Sequence, residues 1–381
     1  MILSLENFTK ETLEEGFELL RQLCLIAAPS GMEEKRAEFV KNWLENIGAE
    51  GVYIDEAKNI VFPMNCEGKS DITVFCAHTD TVFPMETPLN FINDGEFFRC
   101  PGVGDDTCCL VAILMTVKFI IKNKIRPKGG VLFVANACEE GLGNLKGTRQ
   151  LMKDYAGRIG RFYTVDGSYF HLVNRCVGSH RYLVECKTCG GHSFGAFGNP
   201  NAIHHLAALV ADLYTISVPV KENCKTTYNV GTIEGGTSVN TIAQNAKMLC
   251  EYRSDDAECL AIMQAAFEEK FAKAKALGEG KAEFTVTLVG DRPCDGNIDK
   301  KVHEEMIARA KEVSEKYSGA DCRLDSGSTD CNIPMSLGVP ALCIGAYAGG
   351  GAHTREEYVR IDSLEPGRLL VGEIVLDYFG A

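Results

Sequence analysis

Three apolar segments of the chain end directly at acidic or imidazole side chains, and this pattern limits the folds that the chain can adopt. The segments with the residues that follow them are ITVFCA (72–77) before His78, VLFVANAC (131–138) before Glu139, and FYTV (162–165) before Asp166. Near-continuous apolar runs of this kind are typical of central strands covered on both faces. Because sites in open α/β sheets form at the carboxyl ends of the strands, the pattern predicts such a sheet with a site along that edge.

The adjacent acids Glu139 and Glu140 are the residues in the chain whose charges most clearly require a partner. Two neighbouring carboxylates repel each other, and a buried carboxylate costs free energy unless a cation or a proton offsets its charge. A solvated loop is the common setting for such a pair, so the pair alone does not decide between a loop and a site. The other acids and imidazoles near strand ends or glycine-rich loops are His78, Asp80, Asp105, Asp106, Asp166 and His353. This set suits zinc or a similar divalent ion and exceeds one tetrahedral site, so it predicts two metal ions that share a carboxylate.

Length, charge and hydropathy exclude several classes of protein. A chain of 381 residues is expected to form about two domains. The formal charge of −13 argues against nucleic-acid partners and acidic membrane surfaces, both of which bind basic protein surfaces. Charged residues such as Lys10 and Glu14 interrupt the first segment, and no apolar run is long enough to span a membrane. We therefore expect a cytoplasmic protein without a signal peptide.

Cysteine is abundant, with 17 residues in the chain. Most of these residues lie in apolar segments, which is typical of small buried side chains in a reducing compartment. Cys186 and Cys189 form the one Cys-x-x-Cys motif, but the segment around them has the character of a strand, and a strand would point the two thiols to opposite faces. No second pair follows, so we expect a structural role rather than a zinc or redox site.

Periodicity divides the chain into two domains. Helices are predicted at 12–26, 30–47, 107–122, 199–213, 255–277 and 299–317, and further strands at 181–186, 229–233, 247–252 and 341–344. Capping boxes at Thr12 and Ser30 are expected to begin the first two helices. After residue 178 the order strand, helix, strand, strand, helix, strand is that of a small α+β sandwich. We predict an α/β catalytic domain at 1–178 and 292–381, with a mostly parallel sheet flanked by helices, and an inserted α+β sandwich domain at 179–291.

Short motifs along the chain, taken in order, resemble one enzyme family. These are HTD (78–80), the acid pair at 105–106, NACEEGLGNLKG (136–147), YTVDG (163–167), the late His353, and in the inserted domain GGHSFG (190–195) and GGTSVNTIA (235–243). They resemble the co-catalytic zinc exopeptidases, which include peptidase T, glutamate carboxypeptidase, aminoacylase and succinyl-diaminopimelate desuccinylase. The resemblance covers nearly the whole chain.

The resemblance implies a ligand set for two metal ions. One ion would be held by His78, Asp105 and Asp166, and the other by Asp105, Glu140 and His353, so that Asp105 is the bridge. It also implies that the peptide bond after Asp105 is cis. The expected ions are Zn²⁺, although Co²⁺ and Mn²⁺ accept overlapping ligands.

The resemblance also implies the catalytic roles. Asp80 would fix the tautomer of the His78 imidazole. Glu139 would act as general base on the water that bridges the metal ions, and the resulting hydroxide would attack the scissile carbonyl. Successive residues that leave a strand tend to point to opposite sides, so Glu140 would bind metal while Glu139 faces the substrate.

In the inserted domain, the resemblance implies a homodimer and three substrate contacts. His192 would reach the substrate carbonyl in the neighbouring subunit. Asn240 and Arg253 would hold a substrate carboxylate, for which the guanidinium fork is well shaped. As alternatives, His192 caps a turn and Arg253 pairs with Asp255 on the surface.

Two features narrow the expected activity to a branch of the family. Asp166 stands where the carboxypeptidase and deacylase branches usually carry Glu, and YTVDG (163–167) is close to peptidase T. The usual Lys after the acid pair is replaced by Thr107 and Cys108, and the segment between His78 and Asp105 is shorter than in peptidase T. The expected enzyme is an aminopeptidase, similar to tripeptidases, that acts on short peptides. A dipeptidase, an N-acyl amino acid deacylase and an inactive peptide-binding homologue are the alternatives.

Overall fold

The computed structural model describes residues 4–380, which form two compact units. The first unit contains the chain up to Cys176 and again from Gly296, and the second contains Val177–Asp295. Within residues 4–380, no helix is both long enough and apolar enough to cross a membrane.

The elements are numbered in chain order. The strands of the first unit are β1 (Tyr53–Ile54), β2 (Ile60–Met64), β3 (Ile72–His78), β4 (Ile92–Asn93), β5 (Phe97–Arg99), β6 (Arg126–Pro127), β7 (Gly130–Asn136), β8 (Ile159–Val165), β9 (His171–Cys176), β16 (Arg323–Gly327), β17 (Ala341–Ile344), β18 (Gly349–Gly350), β19 (Tyr358–Arg360) and β20 (Phe379–Gly380). Those of the second unit are β10 (Gly178–Lys187), β11 (Gly191–His192), β12 (Thr226–Gly235), β13 (Thr241–Ile242), β14 (Asn245–Ser254) and β15 (Glu283–Arg292).

The α-helices are numbered in the same way. They are α1 (Leu5–Glu11), α2 (Leu13–Cys24), α3 (Glu34–Asn46), α4 (Cys109–Lys122), α5 (Lys146–Asp154), α6 (Ala202–Leu213), α7 (Ala257–Gly278), α8 (Lys300–Ser318), α9 (Asn332–Ser336) and α10 (Ile361–Leu376). Of these, α6 and α7 belong to the second unit.

The first unit is built on an eight-stranded sheet in the order β1-β2-β7-β3-β8-β17-β9-β16. The four central strands β7, β3, β8 and β17 run parallel, because β3 pairs in parallel with both β7 and β8, and β8 pairs in parallel with β17. This confirms the predicted mostly parallel sheet. The carboxyl ends of β7, β3 and β8 are therefore neighbours along one edge.

The central strands are buried because helices cover both faces of the sheet. All seven residues of β3 are buried, and alternation sends Phe75 and Ala77 to one hydrophobic cluster and Val74 and Cys76 to the other. The larger cluster contains side chains of α2, α3, α4, α8 and α10, whereas the smaller one contains side chains of α5 and α9. The predicted flanking helices are thus confirmed.

The second unit is an antiparallel sheet in the order β12-β14-β10-β15, with two helices packed on one face. Leu206 and Leu213 of α6, together with Met263 and Phe267 of α7, enter a single buried cluster with the inward side chains of β10 and β14. A separate two-stranded ribbon pairs His192 with Thr241. This is the α+β sandwich that the sequence predicted.

Two predicted capping boxes are absent. Helix α2 begins directly after Thr12, as predicted, but the Thr12 hydroxyl donates to the carbonyl of Phe8 (2.7 Å) and does not cap the helix. Ser30 lies outside α3, which begins at Glu34. The cap of α6 is Asn201, whose side chain accepts from the amide of Ile203 (2.9 Å), two residues after the start predicted from the sequence.

Candidate metal centre

Adjacent parallel strands deliver several of the predicted site residues to one place. β3 ends at His78, β8 ends just before Asp166, and β7 ends three residues before Glu139. Because neighbouring strands lie roughly 4.8 Å apart, side chains that follow three adjacent carboxyl ends can meet around one small volume. The strand-end prediction from the sequence is thereby realised in the fold.

Three overlapping groups of side chains in the described residues have the composition of metal sites, and two of them contain Asp105. Among residues 4–380, His78, Asp105 and Asp166 place one ligand atom each within 4.8 Å of one another, and so do Asp105, Glu140 and His353. Oδ1 of Asp105 lies 3.0 Å from Nε2 of His78, while its Oδ2 lies 3.0 Å from Nε2 of His353. Since its two oxygens face two different imidazoles, Asp105 has the geometry of a bridging carboxylate.

The loop before α4 brings Asp105 to the centre of the site. Gly102 has a φ of 75°, and a Cβ at Gly104 would lie 2.8 Å from the ring of Tyr347, so both positions need glycine. The peptide bond between Asp105 and Asp106 is cis, as the resemblance implied. Non-helical dihedral angles at these two residues delay the helix predicted from 107, so that α4 begins at Cys109.

Asp80 holds the backbone that carries the two glutamates. Its Oδ1 accepts from the amide of Glu139 (2.9 Å), and its Oδ2 accepts from the amide of Glu140 (3.0 Å) and from the hydroxyl of Ser30 (2.6 Å). Nδ1 of His78 lies closer to the carbonyl oxygen of Asp80 (3.0 Å) than to its carboxylate (3.5 Å). The nearest Asp80 atom to the imidazole is therefore the backbone carbonyl oxygen and not the predicted carboxylate. The carboxylate of Asp80 instead accepts from Ser30, Glu139 and Glu140, which the sequence did not indicate.

Glu139 and Glu140 both face the site. Each places a carboxylate oxygen within 4.8 Å of the same ligand atom of His78. The expectation that the two side chains leave the strand on opposite sides is therefore wrong. Strand alternation no longer applies, because β7 ends at Asn136 and Cys138 has a φ of 59°.

Crowded acids dominate the electrostatics of the site. Burial, followed by the charge of Asp105, raises the pKa of Asp166 to about 7. Hydrogen bonds to Asp105 and Glu140 raise the pKa of His353 to about 10. Burial acts to raise the pKa of Asp105 itself, but hydrogen bonds from His353 and His78 outweigh burial and lower it. Imidazole nitrogens and carboxylate oxygens in this number fit divalent ions such as zinc, whose positive charge would offset the crowding.

Arg36 is a structural partner of the site that sequence reasoning missed. Only 2% of it is exposed, and its guanidinium donates to the carbonyl oxygens of Leu23 (2.9 Å), Ile26 (2.8 Å) and Thr79 (2.9 Å). The contact to Thr79 fixes the backbone between two of the site residues. The one sequence signal was the spacing of four residues to Val40, which places Arg36 on the inward stripe of α3.

The capping box predicted at Ser30 has Glu33 as its second member, but in the structure Glu33 has other partners. Its Oε1 accepts from the amides of Gly31 (2.7 Å) and Cys138 (3.1 Å). Cys138 immediately precedes the glutamate pair, so Glu33 and Asp80 together accept from three consecutive amides of that loop.

The structure places His192 and Asn240 together in the second unit. The exposed His192 accepts at Nδ1 from the amides of Phe194 and Gly195 (both 3.3 Å), so the capping alternative is correct as far as this nitrogen is concerned. Because Nδ1 accepts, the proton of the neutral ring lies on Nε2, which is the nitrogen that can donate a hydrogen bond. The carbonyl of Asn240 accepts from the amide of Ser193 (2.9 Å), next to His192.

Arg253 is paired with an acid of its own strand. Its guanidinium makes two hydrogen bonds to Glu251 (2.8 and 3.1 Å), so the predicted alternative partner, Asp255, is wrong. Arg253 is the last residue but one of β14, whereas Asn240 directly precedes β13. That the two side chains hold one substrate carboxylate stays a prediction.

The two cysteines of the Cys-x-x-Cys motif differ in exposure. Cys186 is buried and Cys189 is exposed, and both are free thiols. Neither belongs to a group of potential metal ligands in the part of the chain that the structure describes.

Comparison with known proteins identifies the family. Residues 74–377 match the peptidase family M20/M25/M40. The chain belongs to this family. The match confirms the resemblance to the co-catalytic exopeptidases, and it makes the protein a hydrolase of the M20 group.

Relatives within this group differ in activity. Succinyl-diaminopimelate desuccinylase of Corynebacterium glutamicum is 22% identical over 368 residues, covering 93% of this chain and 94% of the relative. A tripeptidase of Staphylococcus aureus is similar in structure, with a TM-score of 0.72 and 24% identity, and the match covers 95% of this chain and 97% of the tripeptidase. YXEP of Bacillus subtilis, described as a dinuclear metal-binding peptidase of the M20 family, has a TM-score of 0.63 and 16% identity, with coverage of 97% and 99%. These structural likenesses show the fold, and at such identities they do not select a substrate.

Proposed function

We propose that this M20 hydrolase is a two-metal aminopeptidase that releases the N-terminal residue of short peptides. The observation that carries the proposal is the position of Asp105, whose two oxygens face His78 and His353 at 3.0 Å each. A carboxylate that faces two groups of ligands is what a pair of metal ions requires. The solved relative from Bacillus subtilis, described as dinuclear, supports the same number of ions.

The proposed ligands are those that the geometry groups together. His78, Asp105 and Asp166 would hold one ion, and Asp105, Glu140 and His353 would hold the other. Zinc is the first choice, because imidazole and carboxylate ligands in small numbers suit it, although cobalt and manganese accept the same set. When bound, the ions would lower the pKa of the attacking water and polarise the scissile carbonyl.

Glu139 is the proposed general base. It is buried, its carboxylate lies beside the ligand cluster, and its backbone amide is held by Asp80. In the proposed reaction, a carboxylate oxygen of Glu139 takes a proton from the attacking water and passes it to the nitrogen of the leaving amine. Asp80 keeps the backbone of Glu139 in register with His78 during this transfer.

Preference for free N-termini rests on two sources. Asp166 stands where deacylase branches usually carry Glu, and the similar tripeptidase of Staphylococcus aureus acts, by its description, on peptides. The similarity to a desuccinylase, which covers 93% of the chain, favours N-acyl amino acid deacylation as the second candidate. A dipeptidase would use the same metal centre. An inactive peptide-binding homologue is the least favoured candidate, because every proposed ligand and the proposed base are present.

The second unit is proposed to join two chains into a homodimer. Support comes from Phe194 and Phe197, which are 90% and 91% exposed, and from β12, which forms an edge of the sheet and exposes Ile233. In such a dimer the Nε2 proton of His192 would be donated to the substrate carbonyl of the neighbouring subunit. Sedimentation at micromolar concentration tests this idea, since a monomer would exclude His192 from the site. A cytoplasmic location and the lack of nucleic-acid or membrane partners stay predictions.

One experiment tests the central proposal. The purified protein should contain two metal ions per chain, lose activity after chelation, and regain it with zinc, cobalt or manganese. Free tripeptides, dipeptides and N-acetyl or N-succinyl amino acids are then compared as substrates. Fewer than about one ion per chain would exclude the two-metal mechanism. Turnover of N-acylated substrates alone would replace the aminopeptidase with a deacylase.

A further inference from the structure

Glu357 is a buried carboxylate without an ionic partner in the described part of the first unit. Only 1% of it is exposed, and no Lys, Arg or His among residues 4–380 forms an ion pair with it. A buried carboxylate is costly unless hydrogen bonds or charges offset the loss of water. Its partners are instead backbone amides, so its role is to hold that part of the backbone in place.

The carboxylate of Glu357 accepts three hydrogen bonds from the loop that carries Asp105. Its Oε2 accepts from the amide of Gly102 (2.7 Å), and its Oε1 accepts from the amides of Gly104 (2.8 Å) and Asp105 (2.7 Å). We call residues 102–105 the bridging loop. A carboxylate offers only acceptors, so both oxygens can serve amides at once, which a carboxamide cannot do.

Glu357 also connects the bridging loop to the segment of His353. Its carbonyl accepts from the amide of Cys100 (3.3 Å), and the strand that follows it, β19, pairs with β5 just before the bridging loop. His353 lies four residues earlier on the same segment and reaches Oδ2 of Asp105 at 3.0 Å. The two chain segments that meet at Asp105 are therefore joined by backbone pairing and, at the bridging loop itself, by the Glu357 carboxylate.

The bridging loop is shaped to let its amides approach this carboxylate. Gly102 has positive φ, and a Cβ there would lie 2.7 Å from Cγ2 of Thr81. A Cβ at Gly104 would meet the ring of Tyr347. Thr81 and Tyr347 therefore pack closely against the two glycines of the loop. These contacts, together with the three hydrogen bonds to Glu357, leave the loop little room to move.

We propose that Glu357 is a positioning residue that sets the orientation of the Asp105 carboxylate between its two groups of ligands. This inference rests on the proposed two-metal function, because Asp105 is the bridge only in that function. Glu357 contacts neither ion nor substrate in the proposal. It acts through the backbone of Asp105, and its loss should weaken metal binding in both groups, since both contain Asp105.

The test compares Glu357→Gln with Glu356→Gln, which removes the charge of the exposed neighbouring glutamate. In metal-free protein, amide hydrogen exchange of the bridging loop should be faster in Glu357→Gln than in the wild type and unchanged in Glu356→Gln. In competition with a chromophoric chelator, zinc affinity should fall roughly 10–100-fold for Glu357→Gln only, as is usual when a partner that orients a ligand is lost. Wild-type exchange and wild-type zinc affinity in a folded Glu357→Gln variant would overturn the proposal.

Two further outcomes separate this inference from the proposed function. If the wild type binds no metal, the proposed function fails, and the metal-orienting role of Glu357 fails with it. This holds even if amide hydrogen exchange shows that Glu357 stabilises the bridging loop. If Glu357→Gln does not fold, Glu357→Asp decides the question: it keeps the charge but is one methylene shorter. Reduced zinc affinity with an intact melting transition in this variant supports the proposal, and wild-type affinity overturns it.

Discussion

The backbone amide of Glu139 donates a 2.9 Å hydrogen bond to Oδ1 of Asp80. Strands β3 and β7 are neighbours in the sheet, and this bond joins the segments that follow them, which both carry side chains of the site. A hydrogen bond to a charged group contributes about 1.5–3 kcal/mol to stability. The proposed base is therefore fixed through its backbone, which leaves its carboxylate unconstrained by that contact.

Substitution of the two adjacent glutamates should have different effects. Glu139→Gln is expected to retain both ions and to lose turnover by a factor of about 100 or more, because it removes a proton acceptor. Glu140→Ala is expected to lose the ion shared with His353, because it removes one of three proposed ligands. Metal analysis and steady-state kinetics on both variants check this. Loss of metal in Glu139→Gln together with retention in Glu140→Ala would reverse the two assignments.

Ser30→Ala should destabilise the protein although Ser30 lies outside any helix. The change removes the hydroxyl that donates to Oδ2 of Asp80 (2.6 Å), so the buried carboxylate loses one of its donors. We expect a loss of about 1.5–3 kcal/mol in the free energy of unfolding, measured by urea titration of metal-free protein. Ser238→Ala, in an exposed turn of the second unit, is the matched control and should change stability by less than about 0.5 kcal/mol. Equal effects of the two changes would contradict the role of Ser30.

Arg36→Met should be among the most destabilising changes of a charged residue in this chain. The methionine fills part of the volume but removes the guanidinium donor from the carbonyl oxygens of Ile26 and Thr79, while the carbonyl of Leu23 keeps the amide of Ile26 (3.1 Å). Each unsatisfied buried acceptor costs about 1–3 kcal/mol, so a total loss of about 3 kcal/mol or more is expected in denaturant unfolding. Arg21→Met removes an exposed guanidinium paired with Glu18 and should cost less than about 1 kcal/mol.

Asp166→Asn should have opposite effects on metal-free and metal-loaded protein. Without metal, desolvation and then the charge of Asp105 disfavour the ionised form of the partly buried Asp166, and the neutral amide avoids both costs. A pKa raised from 3.8 to about 7 corresponds to about 4 kcal/mol, so the metal-free variant should be more stable than metal-free wild type at pH 8 by up to that amount. With zinc added, the wild type should gain more stability than the variant, because the variant has lost a ligand. Thermal melting with and without chelator checks both signs, and Asp71→Asn, an exposed acid, is the control.

The sequence predicts the sheet and its functional edge because both depend on local patterns. Apolar runs such as 72–77 require burial on two faces, and the acid or imidazole at each end has no place in such a core. The contacts that hold the site residues are not local. Ser30 and Glu33 have the spacing of a capping box, yet their partners are Asp80 and the amide of Cys138, and nothing within the spacing itself distinguishes these outcomes.

Departures from regular backbone explain the remaining errors. The prediction that Glu139 and Glu140 diverge assumed that strand geometry continues, but the positive φ of Cys138 ends it. Glu357 was missed because it stands beside another glutamate, Glu356, and only the folded chain shows which of the two is buried. Ligand assignments came from the family resemblance, and the geometry groups those five residues but also places Glu139 in a group with His78 and Glu140.

The order of the site residues along the chain has a consequence for biosynthesis. Gly102 and Glu357, which hold the bridging loop together, are 255 residues apart. A nascent chain therefore exposes its cluster of acids during most of translation and can complete the cluster only after residue 357 has left the ribosome. In the proposed two-metal enzyme, the metal ion that needs His353 would therefore bind only late in synthesis, after the sheet strands β3, β7 and β8 have been made.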